Sequence, residues 1–380
     1  MSERIPVFKP YIGVDTAKAA VDALELGWLG MGSYVRDFEQ TLAEYVGGAD
    51  RHVVAVNTGT SALHLAMLLA GVGPGDEVIT PSFNNIGDFQ AILAAGGQPV
   101  FCDIRDDDLG IDPAKAEELV GPRTKAIIGM DYAGLPCQLD ALHEVAGRRG
   151  LRVIHDAAHS IGGSHRGRKI GSFGDLVIFS FDPVKTITCI DGGAIITPRA
   201  EEVDALHRMR LLGMDQKASR MYTNNRAWTY DVANPGFRYH LANLHASIGL
   251  TQLGRLEEFV ESRRRACRLY SHLLGGIDGL GLPATDFEDV APFIYYLRVR
   301  GGRRQRLIEA LNGHGIDTGI HWIPGDRFSL FAGCRRGDLS VTDRVGEEIL
   351  TLPLHSLMEH ATVERVASAV RDALAADGAA

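Results

Sequence analysis

The chain has 380 residues, enough for two domains or for one large domain with an appendage. Hydrophobic residues at 45% and charged residues at 23% are ordinary for a globular protein and exclude a largely disordered chain. The 48 acids outnumber the 39 bases by nine, so there is no basic footprint for nucleic acid, and that class of partner is set aside.

Taken in chain order, the opening stretch from Met1 to Pro10 carries Glu3, Arg4 and Lys9 and no apolar run of signal-peptide length. Val53-Val54-Ala55-Val56 predicts a strand, followed by a helix over about 61–70. This uncharged region is broken by Asn57, Thr58, Thr60, Ser61 and His64, which makes it a buried strand-turn-helix rather than a membrane span. Glu77 to Thr80 predicts the next strand, with a helix near 86–95. Gln98 to Phe101 predicts another, leading to a helix that starts at Asp112-Pro113. Lys125 to Ile128, a helix from Leu139 to Arg149, and Leu151 to Ile154 continue the alternation. Leu176 to Ser180 and Ala194 to Thr197 follow each other with no helix between them. Strands alternating with helices predict an α/β fold with a mostly parallel sheet covered on both faces.

Beyond a helix near 200–212 the texture changes. Residues 213–240 are aromatic-rich and without period, which predicts a loop excursion. Leu250, Leu253, Leu256, Phe259 and Val260 then predict one long helix from Leu244 to Leu274. A smaller α+β unit closes the chain, with a strand at 293–299, a helix at 303–313 and two further helices. The expected division is 1–240 and 241–380. Cys102, Cys137, Cys189, Cys267 and Cys334 are scattered, without a CxxC pair, which argues against disulfides and structural zinc and for a reducing cytoplasm.

Three constellations carry chemistry. In Asn57-Thr58-Gly59-Thr60-Ser61-Ala62, small hydroxylic residues at a helix start offer backbone N–H groups and a positive dipole end to a phosphate. Thr60 or Ser61 as a plain helix N-cap explains the same residues. In His155-Asp156-Ala157-Ala158-His159, Asp156 falls beyond the carboxyl end of a strand, where α/β proteins bind ligands. It suits a metal ligand, an acid/base group or the partner of a cationic ring nitrogen, and equally a helix cap; adjacent His155 and Asp156 project apart, which weakens the metal reading. In Phe179-Ser180-Phe181-Asp182-Pro183-Val184-Lys185, a lysine follows a buried strand, where desolvation frees its amine for Schiff-base chemistry. Pyridoxal 5′-phosphate needs such a set: a helix N-terminus, an anion and a lysine.

Asn57 to Leu63, Gly73 to Ser82, Asp156 to Ser160 and Phe179 to Lys185 resemble motifs of the DegT/StrS-type sugar aminotransferases, in order and spacing. The likeness runs from Gly27-Trp28-Leu29-Gly30 to Leu352-Pro353-Leu354-His355. It implies a fold-type I pyridoxal-phosphate architecture, with a seven-stranded, mostly parallel sheet between helices and a smaller C-terminal α+β domain. It also implies Lys185 as the Schiff-base lysine and Asp156 at the pyridine nitrogen. His159 would lie beside the ring oxygen, and Ser180, Thr60 and the backbone around Gly59 and Ser61 would hold the phosphate. A homodimer with shared active sites is implied, its crossing segment matched by Gly236 to His240; Arg238 stands where many relatives have Asn. Asn85 stands where the family has a ring stacked on the cofactor, and it cannot stack that way.

The function implied is amino transfer between L-glutamate/2-oxoglutarate and a sugar nucleotide. Gly319 to Pro324 and Cys334 to Leu339 look like the group that aminates NDP-4-keto-6-deoxyhexoses at carbon 4. A cyclitol aminotransferase and a sugar 3-dehydratase share the scaffold, but such dehydratases typically have His in place of the lysine. A non-enzymatic, cofactor-bound regulator is the alternative from another class, and the intact Lys185, Asp156 and Ser180 set argues against it. No metal and no membrane are expected.

Overall fold

The computed structural model of the chain describes residues 4–48, 50–215, 221–225 and 228–377. Two helices that the sequence reading did not assign, α1 (Val14–Glu25) and α2 (Ser33–Val46), precede the first strand. The strands are β1 (His52–Val56), β2 (Glu77–Pro81), β3 (Gln98–Cys102), β4 (Thr124–Met130), β5 (Arg152–Asp156), β6 (Leu176–Ser180) and β7 (Gly193–Thr197). They form one seven-stranded sheet in the order β1-β7-β6-β5-β4-β2-β3. Six strands run one way and β7 alone runs against them. The reversal follows from the chain: a parallel neighbour needs a crossover helix, and the loop from β6 to β7 contains none.

Strand alternation sorts the core onto two faces. Val54, Val56, Val78, Ile128, Ile154 and Ile178 pack on one side with α3 (Gly59–Leu69) and α4 (Ile86–Ala94). Ala55, Ile79, Ile127, Val177 and Ile196 pack on the other side with Phe38 of α2 and with Leu139 and Leu142.

The single long helix expected over 244–274 is instead two, Asn243–Leu253 and Leu256–Leu274. Gly254 ends the first, and Arg255, with φ −111° and ψ 6°, sits outside helical geometry. The leucine spacing runs unbroken across the joint, so periodicity alone could not reveal it. Of the second helix, Leu256, Phe259 and Val260 pack against the large sheet's cluster, whereas Ala266, Tyr270 and Leu274 enter a separate core. That core belongs to a three-stranded antiparallel sheet, Leu280–Gly281, Tyr295–Val299 and Ile349–Leu352, with Arg304–Gly313 and His360–Asp377 against it. The N-terminal stretch joins this unit as well, since Ile5 bridges to Ile316 and Phe8 stacks on Phe293 with centroids 5.3 Å apart.

The excursion expected over 213–240 is irregular apart from a short ladder between Met214–Asp215 and Asp231–Val232; its residues 216–220 and 226–227 lie outside the described set. All five cysteines are free. Among the described residues, no helix is long and apolar enough to cross a membrane.

Candidate active site

The carboxyl end of the sheet builds the site. Val56 at the end of β1 is in register with Gly193 of β7, which pairs in turn with Ser180 at the end of β6. A Cβ on Gly59 would stand 2.9 Å from the Ser180 Cβ, and one on Gly193 would stand 2.4 Å from the Thr58 carbonyl oxygen. Only glycines allow this approach of the α3 start to the sheet. The N-cap of α3 is Thr58, whose Oγ1 accepts from the Ser61 amide at 2.9 Å, so neither Thr60 nor Ser61 is the cap. The Ser61 hydroxyl is turned inward, donating to Asn57 Oδ1 at 2.7 Å. Gly59, Thr60 and Ser180 remain on the cavity wall, at a helix end disposed to hold an anion.

β5 presents its last two side chains in opposite directions. His155 faces Asp131, with Nε2 2.7 Å from Oδ2, inside the large unit. Asp156 faces the cavity and accepts from the Ala158 amide at 3.0 Å, which makes a tight turn rather than a helix cap.

Lys185 follows β6 in a turn held by Asp182, whose carbonyl accepts from the Lys185 amide at 3.1 Å and whose Oδ1 accepts from the Val184 amide at 3.0 Å. The lysine is half-buried at the cavity wall, and desolvation there pushes its amine down to about 8. The Asp156 and Asp182 carboxylates hold it from falling further. His159 is buried and shifted well below the usual histidine range, first by burial and then by the charges of Lys185 and His321. Its ring lies 4.2 Å from that of Phe293 and stacks with Trp322 at 6.1 Å.

Of the nine expected site residues, Gly59, Thr60, Asn85, Asp156, His159, Ser180 and Lys185 line one cavity of about 540 Å³. Asn85 is the N-cap of α4, its Oδ1 accepting from the Gly87 amide at 2.7 Å, so its amide is committed to the helix end. Ser61 stays behind the wall. Arg238 lines a different cavity of about 910 Å³, with Trp28, Met31, Leu212 and Tyr230. Sequence reasoning missed Asp88, Phe8, Phe293, His321 and Trp322 as wall residues. An acid in the first turn after Asn84-Asn85 was a signal for Asp88. His321 and Trp322 lie in the Gly319 to Pro324 segment whose likeness was noted without placing them in the wall, and Phe8 and Phe293 gave no signal.

Comparison with known proteins places this geometry. Residues 10–371 match the DegT/DnrJ/EryC1/StrS aminotransferase family. The chain belongs to that family. It is 36% identical to the spore coat polysaccharide biosynthesis protein SpsC of Bacillus subtilis (strain 168), over 97% of this chain and 96% of that one. Its fold is similar to that of the aminotransferase TlmJ from Streptoalloteichus hindustanus, with a TM-score of 0.91 and 34% identity over 98% of this chain and 100% of that one. Spr1654 from Streptococcus pneumoniae, assigned as a sugar aminotransferase and solved in PMP and PLP forms, superposes in its PMP form with a TM-score of 0.91 and 26% identity, over 98% of this chain and 99% of that one. The chain is thus a fold-type I, pyridoxal-phosphate-dependent aminotransferase. The residues present fit the cofactor, because an anion cradle, a buried carboxyl and an amine of lowered basicity face one cavity.

Proposed function

We propose that this aminotransferase moves the amino group of L-glutamate to a keto-sugar nucleotide, an NDP-4-keto-6-deoxyhexose, giving a 4-amino-4,6-dideoxyhexose. The observation that carries the chemistry is the Lys185 amine, held near neutral basicity in the cavity that Asp156 and the α3 start also line. The sugar assignment draws support from SpsC and Spr1654, and from the loops Gly319 to Pro324 and Cys334 to Leu339.

Pyridoxal phosphate, when bound, supplies an electron sink for a carbanion at the donor α-carbon. Lys185 would be the residue that holds the cofactor's aldehyde, and its amine, of lowered basicity, is placed to take up and return a proton in the cavity. Asp156 would hold the ring nitrogen and His159 the ring oxygen, since both line the cavity beside Lys185. Gly59, Thr60, Ser180 and the backbone near Ser61 would hold the phosphate at the start of α3.

The same reading makes the protein a homodimer of the cytoplasm with shared sites, Arg238 reaching the neighbour's cavity. Its support is the group of exposed apolar residues Leu29, Leu212, Tyr230 and Trp228, the last 82% exposed, which line the second cavity together with Arg238. A reverse-reaction screen of amino-sugar nucleotides with 2-oxoglutarate, read by mass spectrometry, tests the substrate. A 4-keto-6-deoxyhexose nucleotide and glutamate are the expected products; turnover of amino-cyclitols alone overturns the assignment.

A further inference from the structure

Asp88 is an acid with an unusual neighbourhood. It stands in the first turn of α4, has no solvent exposure, and lines the same cavity as Asp156. An acid at this position ordinarily ionises and reaches back to the amide of the N-cap residue. Here that amide is taken, since Asn85 N–H donates to Asn84 Oδ1 at 2.6 Å. Neither Asp88 oxygen makes a well-formed hydrogen bond, and the nearest donor is the side-chain amide of Asn84. The groups that face Asp88 are the Asp156 carboxyl from β5, the Asn84 amide from the preceding turn, and the more distant Lys185 from the β6–β7 loop. Asp156, by contrast, has the Ala158 amide, Lys185 and His155 to support a negative charge.

Two carboxylates face to face in a dry wall repel, and each leaves the other without a partner. One proton between them turns the contact into a hydrogen bond. We propose that Asp88 keeps a proton and donates it to the Asp156 carboxylate, so that the pair turns one negative charge, carried on Asp156, towards the ring nitrogen of the cofactor. Asp88 is then a positioning residue that fixes where the charge sits. Burial, and then the Asp156 charge, drive the Asp88 carboxyl well above its usual range, in keeping with this division. The inference rests on the placement of Asp156 at the ring nitrogen only for its effect on the cofactor; the proton on Asp88 is a property of the protein itself.

Two measurements test it. In infrared difference spectra of the full chain without cofactor at neutral pH, Asp88→Asn should remove a protonated-carboxyl band that wild type shows. Absence of such a band in wild type overturns the proposal. With cofactor, Asp88→Asn keeps an N–H donor towards Asp156 and should bind pyridoxal phosphate within about threefold of wild type. Asp88→Leu removes the donor at similar volume and should weaken binding roughly tenfold or more, the scale of a hydrogen bond to a charged group. Equal losses in Asn and Leu variants would show that the charge of Asp88, not its proton, matters. The infrared arm needs no cofactor, so its outcome is separate from the assignment of Asp156.

Discussion

The amine nitrogen of Lys185 lies 4.4 Å from the centre of the Phe293 ring. The lysine belongs to the loop after β6, whereas Phe293 lies two residues before the Tyr295–Val299 strand of the small C-terminal sheet. One phenyl ring thus joins the two cores at the reacting amine, and it touches Phe8 and His159 as well. A cation over an aromatic face gains little energy when wet and more when desolvated, so the ring steadies the amine when it is charged.

Lys185 is expected to be the residue that binds pyridoxal phosphate covalently. Borohydride reduction of the loaded protein followed by peptide mapping should give a pyridoxyl adduct at Lys185. Lys185→Ala should fold, give no adduct and lose transamination. An adduct at any other lysine in the wild type removes the assignment.

The same lysine should cost the cofactor-free protein stability. Its folded-state value of about 8 lies below the unfolded 10.5. Below pH 8 both states hold the proton and the full penalty is present. Between these values only the unfolded state holds it, so stability rises with pH until the penalty is gone. Lys185→Met should therefore stabilise the cofactor-free chain at pH 7 by up to about 3 kcal/mol, less whatever screening the cavity water provides. Urea melts at pH 7 and pH 10 read this, and the gap between variant and wild type should shrink at the higher pH.

Arg210 is buried without exposure and is held by Glu39 at 2.5 Å, by the Ala55 carbonyl at 2.7 Å and by the Tyr222 hydroxyl at 2.7 Å. Tyr222 donates its own proton to Glu39. Removing one charge of such a set leaves the other stranded. Glu39→Gln should cost about 3 kcal/mol in denaturant melts. Replacing Glu39 and Arg210 together by apolar residues should cost less than the two single changes added, and a strictly additive result contradicts the pairing.

Mixing inactive Lys185→Ala subunits with inactive Arg238→Ala subunits should restore activity if each active site draws on both chains. One of the two sites in a mixed dimer then receives both intact residues. Proven subunit exchange without recovery places Arg238 outside the partner's site.

Much of the sheet was legible because its strands are short apolar runs punctuated by glycine, and Asp156, Ser180 and Lys185 fall at strand ends, where residue order alone reports position. The joint at Gly254 was hidden because the leucine period does not change across it. Thr58 was passed over as the cap in favour of its hydroxylic neighbours Thr60 and Ser61, since a cap is fixed by backbone angles that composition does not record. Phe8 and Phe293 were invisible for another reason: their place in the wall comes from the docking of the small unit on the large one. Asp88 was readable only as one more acid near a helix start; its place against Asp156 emerged from packing.

The close fit of Gly59 to Ser180 and of Gly193 to Thr58 gives the cavity two kinds of wall. One is cut into the sheet and leaves no room for an added methyl group. The other, formed by Phe8, Phe293, His321 and Trp322, is laid over it from elsewhere in the chain. Variation in the second wall reshapes the opening without loosening the first. A lineage built this way is free to exchange one acceptor for another while its anchorage stays unchanged.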